Sequence, residues 1–187
     1  MRKPLHYLCA FILVSITGQA LAEDAPYVLE GLHTNLTMRD ALARAEALGG
    51  TCVSIRPRRK IGGVSSQCTF PACDLEKENE ACPAELLQAA TFKIGGQPIH
   101  TLVMEAPAED ERLRNISLFY EGEVYVLLDR FLELFGEPKF DTAPKVETSW
   151  TRSRRLMWQR GVQRISFMTR PQTIIIAADR PEYGNKM

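Results

Sequence analysis

The sequence predicts an α+β fold: one or more antiparallel sheets with two main helices on one face, stapled by disulfides. Three observations predict it. Two segments carry apolar residues at helical spacing and end in glycine, LTMRDALARAEALGG and EGEVYVLLDRFLELFGEP. Short β-prone runs separated by Gly or Pro turns fill much of the rest. Four cysteines crowd into residues 52 to 82.

The amino terminus reads as a cleaved export signal. Arg2 and Lys3 precede an apolar run, LCAFILVSITG, and Ala20-Leu21-Ala22 forms an A-x-A site. The run has 11 residues, whereas a membrane-spanning helix needs about 20. Cys9 is not placed for lipid attachment. Cleavage after Ala22 removes two basic residues and no acids, leaving 21 basic and 23 acidic residues. A slightly acidic chain lacks the basic field of a generic nucleic-acid binder. Roughly 165 residues then remain, enough for one sizeable core or two small ones. The expected location is the periplasm, or the exterior of the cell, with no transmembrane segment in the mature chain. Asn35 and Asn115 open N-x-S/T triplets, which matter only in a glycosylating secretory pathway and are set aside as chance.

In the first predicted helix, Thr37 and Asp40 resemble a capping box, and Met38, Ala41, Leu42, Ala45 and Leu48 recur on one face before Gly49. TCVSI (51–55) and VSSQCTF (64–70) follow as a hairpin around PRRKIGG. Setting Arg56 opposite Val64 also sets Cys52 opposite Cys68, at about the cross-strand distance a disulfide bridges. Cys73 and Cys82 would then close the loop DLEKENEA. Four cysteines allow three pairings, and the hairpin suggests this one without excluding the others. Exported thiols pair. Intervals of x15, x4 and x8 fit neither paired C-x2-4-C zinc ligands nor a C-x-x-C redox centre. No metal and no cofactor is expected.

ATFKI and PIHTLVMEA read as strands joined through GGQ, PAEDER breaks the pattern, and LRNISLFY is another strand. In the second helix Val124, Leu127, Leu128, Phe131, Leu134 and Phe135 form the apolar face, with Gly136 and Pro138 as the stop. ETSWTRSRRLMWQ, QRISFMT and QTIIIAAD complete the strands, turning at Gly161 and Arg170-Pro171. The grammar is a helix, a glycine stop and a strand meander, used twice. It divides the mature chain into a disulfide-containing unit, 23–112, and a second unit, 113–187, packed as one body.

LELFGEP (132–138) followed by Trp150 resembles the small SmpA/OmlA-type envelope modules, in which a helix ends in L-G-x-P before a Trp-bearing strand. The β-lactamase inhibitor protein carries a tandem version of a similar fold. The chain departs from those modules in lacking a lipidation cysteine and in having four further cysteines. The resemblance implies a two-layer fold and a habit of binding other proteins.

Catalytic signals are few. His33 and His100 are the histidines left after cleavage, and no G-x-S-x-G or H-E-x-x-H motif occurs. Glu105, Glu109, Asp110 and Glu111 cluster, as do Glu76, Glu78, Glu80 and Glu85, but such runs are usually solvated loops. Two features suit binding. Arg58, Arg59 and Lys60, with Arg56, crown the first hairpin. Trp150, Arg152, Arg154, Leu156 and Trp158 alternate onto one strand face. That stripe reads either as an Arg/Trp interface or as core beneath a helix. The leading expectation is a non-enzymatic envelope protein that binds another envelope or secreted protein, as an assembly accessory or inhibitor. The alternatives are a small envelope hydrolase using the carboxylates and a small-anion binder.

Overall fold

The computed structural model describes residues 25–56, 62–70, 91–142 and 154–180. Among these residues the fold is α+β, with two helices and a nine-stranded antiparallel open sheet. The predicted signal segment, the hairpin tip with Arg58, Arg59 and Lys60, the loop with Cys73 and Cys82, and Trp150 and Arg152 lie outside the described residues.

Helix α1 (Met38–Ala47) starts at Thr37, whose Oγ1 accepts the Asp40 backbone N–H at 3.2 Å and donates to the Asp40 carboxylate at 2.8 Å. The predicted cap residues are right, and the acid accepts a hydrogen bond from the Thr37 hydroxyl. The helix ends in a Schellman pattern. Gly49 N–H bonds to Glu46 O and Gly50 N–H to Ala45 O, and Gly49 sits at φ 89°, where a side chain is disfavoured. Met38, Ala41 and Ala45 are buried.

The chain then forms β1 (Thr51–Ile55), β2 (Val64–Thr69), β3 (Lys93–Ile94), β4 (Gln97–Ala106) and β5 (Asn115–Tyr120). Cys52 faces Cys68 in register, and their sulfurs are bonded at 2.03 Å. Gly95 and Gly96, both at positive φ, make the two-residue turn between β3 and β4. A register shift between Ile99 and Thr101 places His100 at a bulge in β4.

Helix α2 (Val124–Phe135) buries Leu127, Leu128 and Phe131 and stops at Gly136, φ 71°. Leu134, assigned to the apolar face by periodicity, is 45% exposed, and Leu132 packs against the core in its stead. The buried arc is centred on Leu128 and Phe131, which leaves Leu134 on the solvent shoulder of the helix. After α2 come β6 (Phe140–Asp141), β7 (Arg155–Arg160), β8 (Gln163–Thr169) and β9 (Gln172–Ala178).

The sheet order is β1-β2-β4-β5-β9-β8-β7-β6, with β3 added beside β4. The last strands of the two halves, β5 and β9, meet antiparallel at the centre. Each half therefore runs from a helix through an edge strand toward the middle of one shared sheet. Residue 113 is no seam in it, because β5 continues the first meander beside β4.

Following the pairing across the sheet shows which side the helices cover. One rung runs Cys52, Cys68, Leu102, Leu118, Ile174, Phe167, Leu156. The next runs Ser66, Met104, Ile116, Ile176, Ile165, Trp158. All of these residues except Ser66 join α1, α2 and the 25–36 segment in one buried cluster. At its end Arg180 donates to Thr34 O and to the Asn35 side chain, while Thr34 Oγ1 donates to the Gln163 side chain, which ties the leading segment to the sheet.

Candidate functional site

Strand side chains alternate between faces, so the residues that flank each core-rung member along its strand point to the side opposite the helices. No described helix packs there. The middle rung of that face runs Val53, Gln67, Val103, Ser117, Ile175, Ser166, Met157, Phe140. The rungs beside it bring together Ser65, Glu105, Asn115, Ala177 and Arg164 on one side, and Thr69, Thr101, Phe119, Thr173 and Met168 on the other. Apolar side chains alternate with small hydroxyls and amides, and fixed charge is sparse. Arg164 is held by Asp179 at 2.8 Å.

Ser65 and Ser166 are each 1% exposed and Thr173 is 2% exposed, and the hydroxyl oxygens of all three have no hydrogen-bond partner among the described residues. A buried hydroxyl left unpaired costs about 1–3 kcal/mol. Burial in the hydrophobic core does not explain these three, because they face away from it. The rung also ends in exposed apolar groups, Val53 on one edge strand and Phe140 on the other. This face, free of helices among the described residues and called the helix-free face below, is the candidate site.

The Arg/Trp stripe falls elsewhere. Arg154, Leu156 and Trp158 do share a face, but it is the helix-covered one. Leu156 and Trp158 are buried. Trp158 lies against Phe131 and Phe135, with ring centroids 5.9 and 6.0 Å away, and its Nε1–H donates to Gly136 O at 2.7 Å. Assigning Leu156 and Trp158 to a binding surface is therefore corrected: α2 docks over them and removes them from solvent. Arg154 sits where that face emerges and grips Asp141 through two bonds, Nε to Oδ1 at 3.0 Å and Nη2 to Oδ2 at 2.7 Å. The bond to Asp141 raises the Arg154 pKa and keeps the charge fixed. Arg56, at the base of the basic tip, is exposed.

Both histidines are half-buried. Burial lowers the pKa of His33, whose Nδ1 has no partner. Burial also lowers that of His100, against a smaller opposing pull from Glu121, and its Nδ1 meets Thr101 Oγ1 at 3.0 Å. Glu105 lies on the helix-free face, whereas Glu109, Asp110 and Glu111 are exposed in the following loop. Among the described residues no three of His, Cys, Asp and Glu gather where they could hold a metal ion. No described helix is long and apolar enough to cross a membrane.

The helix-free face was present in the alternation but unread. In QRISFMT, Ile165 and Phe167 take one parity and Arg164, Ser166 and Met168 the other. The second set looks like an ordinary wet face until strand pairing brings Ile175, Met157 and Phe119 beside it. No family model matches the chain, and neither a curated protein nor a solved structure does.

Proposed function

We propose that this chain is an exported binding protein that holds another envelope or secreted protein against the helix-free face of its sheet. The observation that carries the reading is the mixed lining of that face, where Ile175, Met157 and Phe140 stand among Gln67 and Ser117, with Val53 and Phe140 exposed at its two edges. A partner laid across it would cover the apolar groups and meet the amide and hydroxyl between them with polar groups of its own. The export-like amino terminus supports an envelope or extracellular setting, and the Cys52–Cys68 bond agrees with an oxidising one. The reading is of binding, not catalysis, as an assembly accessory or an inhibitor.

The test places a photo-crosslinking residue at Phe140 or Met157, with Leu134 and Val126 on the exposed side of α2 as controls. After irradiation in the native envelope, adducts are identified by mass spectrometry. One discrete protein adduct from the sheet positions, absent from the helix positions, is the expected result. Adducts from the helix positions alone, or none from a folded, exported chain, would overturn the proposal.

A further inference from the structure

The outer edge of β1 is a second surface, and it depends on backbone chemistry instead of side-chain chemistry. Antiparallel partners alternate between close pairs without hydrogen bonds and wider pairs that exchange two. Cys52 and Cys68 are a close pair, with Cα atoms 4.0 Å apart. Thr51, Val53 and Ile55 therefore direct their amides to β2, while Cys52 and Ser54 direct theirs outward. The same parity appears across β2, where Phe70 N–H bonds to His100 O on the β4 side. The outward amides of Cys52 and Ser54 have no partner among the backbone bonds of the described chain.

Edge strands are normally guarded by Lys, Pro, a bulge or inward charge. TCVSI has none of these, and its pairing with β2 runs unbroken from Thr51 to Ile55. Val53, at its centre, is 57% exposed. The disulfide at Cys52, one residue from the strand's centre, ties β1 to β2 in advance of any further pairing.

We propose that β1 pairs with β1 of a second copy of this chain, antiparallel about a two-fold axis through Val53. That register follows from the outward amides. Cys52 meets the partner copy's Ser54 and Ser54 its Cys52, each pair exchanging two hydrogen bonds. Val53 meets itself, and Thr51 meets Ile55. These are β-branched pairs on one face, a combination that favours strand pairing. No charged residue within the strand opposes a like charge, and the contact is self-complementary, as a two-fold interface requires. A five-residue strand pair buries well under the roughly 1,000 Å² of a stable interface, so the dimer is weak, with Kd on the order of 0.1–1 mM.

The experiment is sedimentation equilibrium of the purified, oxidised protein across that concentration range, with a non-reducing gel to exclude intermolecular disulfides. It is run beside Val53→Lys and Ser54→Pro. Lysine on the axis faces its own charge, and proline removes one outward N–H. Amide exchange by NMR gives a readout that does not depend on the variants. The expected result is a reversible dimer in the wild type, weakened at least tenfold in both variants, with Cys52 and Ser54 amides slowing as concentration rises while Val53 stays unchanged. A wild type that remains monomeric, a dimer unaffected by either variant, or Cys52 and Ser54 exchange independent of concentration would each overturn the proposal.

Discussion

Replacing Trp158 separates a packing residue from a binding one. The side chain is 3% exposed, lies among Phe131 and Phe135, and donates its indole N–H to the carbonyl that ends α2. Truncation of a buried tryptophan to alanine costs about 3–5 kcal/mol. Trp158→Phe keeps an aromatic body but removes the hydrogen bond to Gly136 O, an exposed residue that water can reach, which costs about 0.5–1.5 kcal/mol. The two variants should therefore fall in order below the wild type. Urea unfolding followed by far-UV circular dichroism measures both, because that signal does not rely on the deleted indole. An unchanged slope with a lowered midpoint would assign the loss to native-state stability. A Trp158→Ala variant within about 1 kcal/mol of the wild type would refute the packing argument, since no well-filled site loses an indole so cheaply.

Three further outcomes are expected. The Cys52→Ala/Cys68→Ala pair opens a loop of sequence separation 16 and should lose about 3 kcal/mol in equilibrium unfolding; a loss under about 1 kcal/mol would show that the bond does not constrain the unfolded chain. His33 and His100 have folded-state pKa values lowered by burial, so the unfolded chain takes up protons first, near pH 6.5. Stability should be full above that pH and decline as pH falls below it toward the folded values. Thermal midpoints measured from about pH 7 to about pH 5 should fall less steeply in His33→Asn/His100→Asn than in the wild type, and equal slopes would count against this assignment. Gly49→Ala forces a side chain into φ 89° with its Cβ 2.7 Å from Thr91 Oγ1, and should lower stability by about 1 kcal/mol or more; an unchanged midpoint would mean that the helix end re-forms without strain.

Local signals in the sequence were legible where one physical cause dominates. The Cys52–Cys68 register follows from hairpin counting alone, because every pair across an unbulged hairpin shares one offset. Gly49, Gly95, Gly96 and Gly136 stand where positive φ is needed. The Arg/Trp stripe was illegible for a different reason. Alternation shows that Arg154, Leu156 and Trp158 share a face, but the side on which α2 docks depends on all the other strands at once. The candidate face was hidden likewise. Ser65, Ser166 and Thr173 read as solvated until the strands are paired and neighbours distant in the chain, such as Phe119 beside Thr173, come next to them. Trp158 meets the end of α2, and nothing in LELFGEP points to it.

The two proposed surfaces share Val53, and this links them. It is the terminal apolar residue of the central rung on the helix-free face and also the residue on the axis of the edge pairing. A two-fold through it would set two helix-free faces side by side in one continuous sheet. A partner presenting two copies of its own contact would then gain from an effective concentration instead of a second independent encounter. A weak edge contact is suited to that role, since a dimer too weak to persist alone is stabilised by whatever binds both halves. The linkage makes a directional demand. Val53→Lys should weaken capture of a multivalent partner and leave contact with a monovalent one at Phe140 and Met157 largely intact. Equal loss for both would mean that Val53 touches the partner directly and that the edge plays no part.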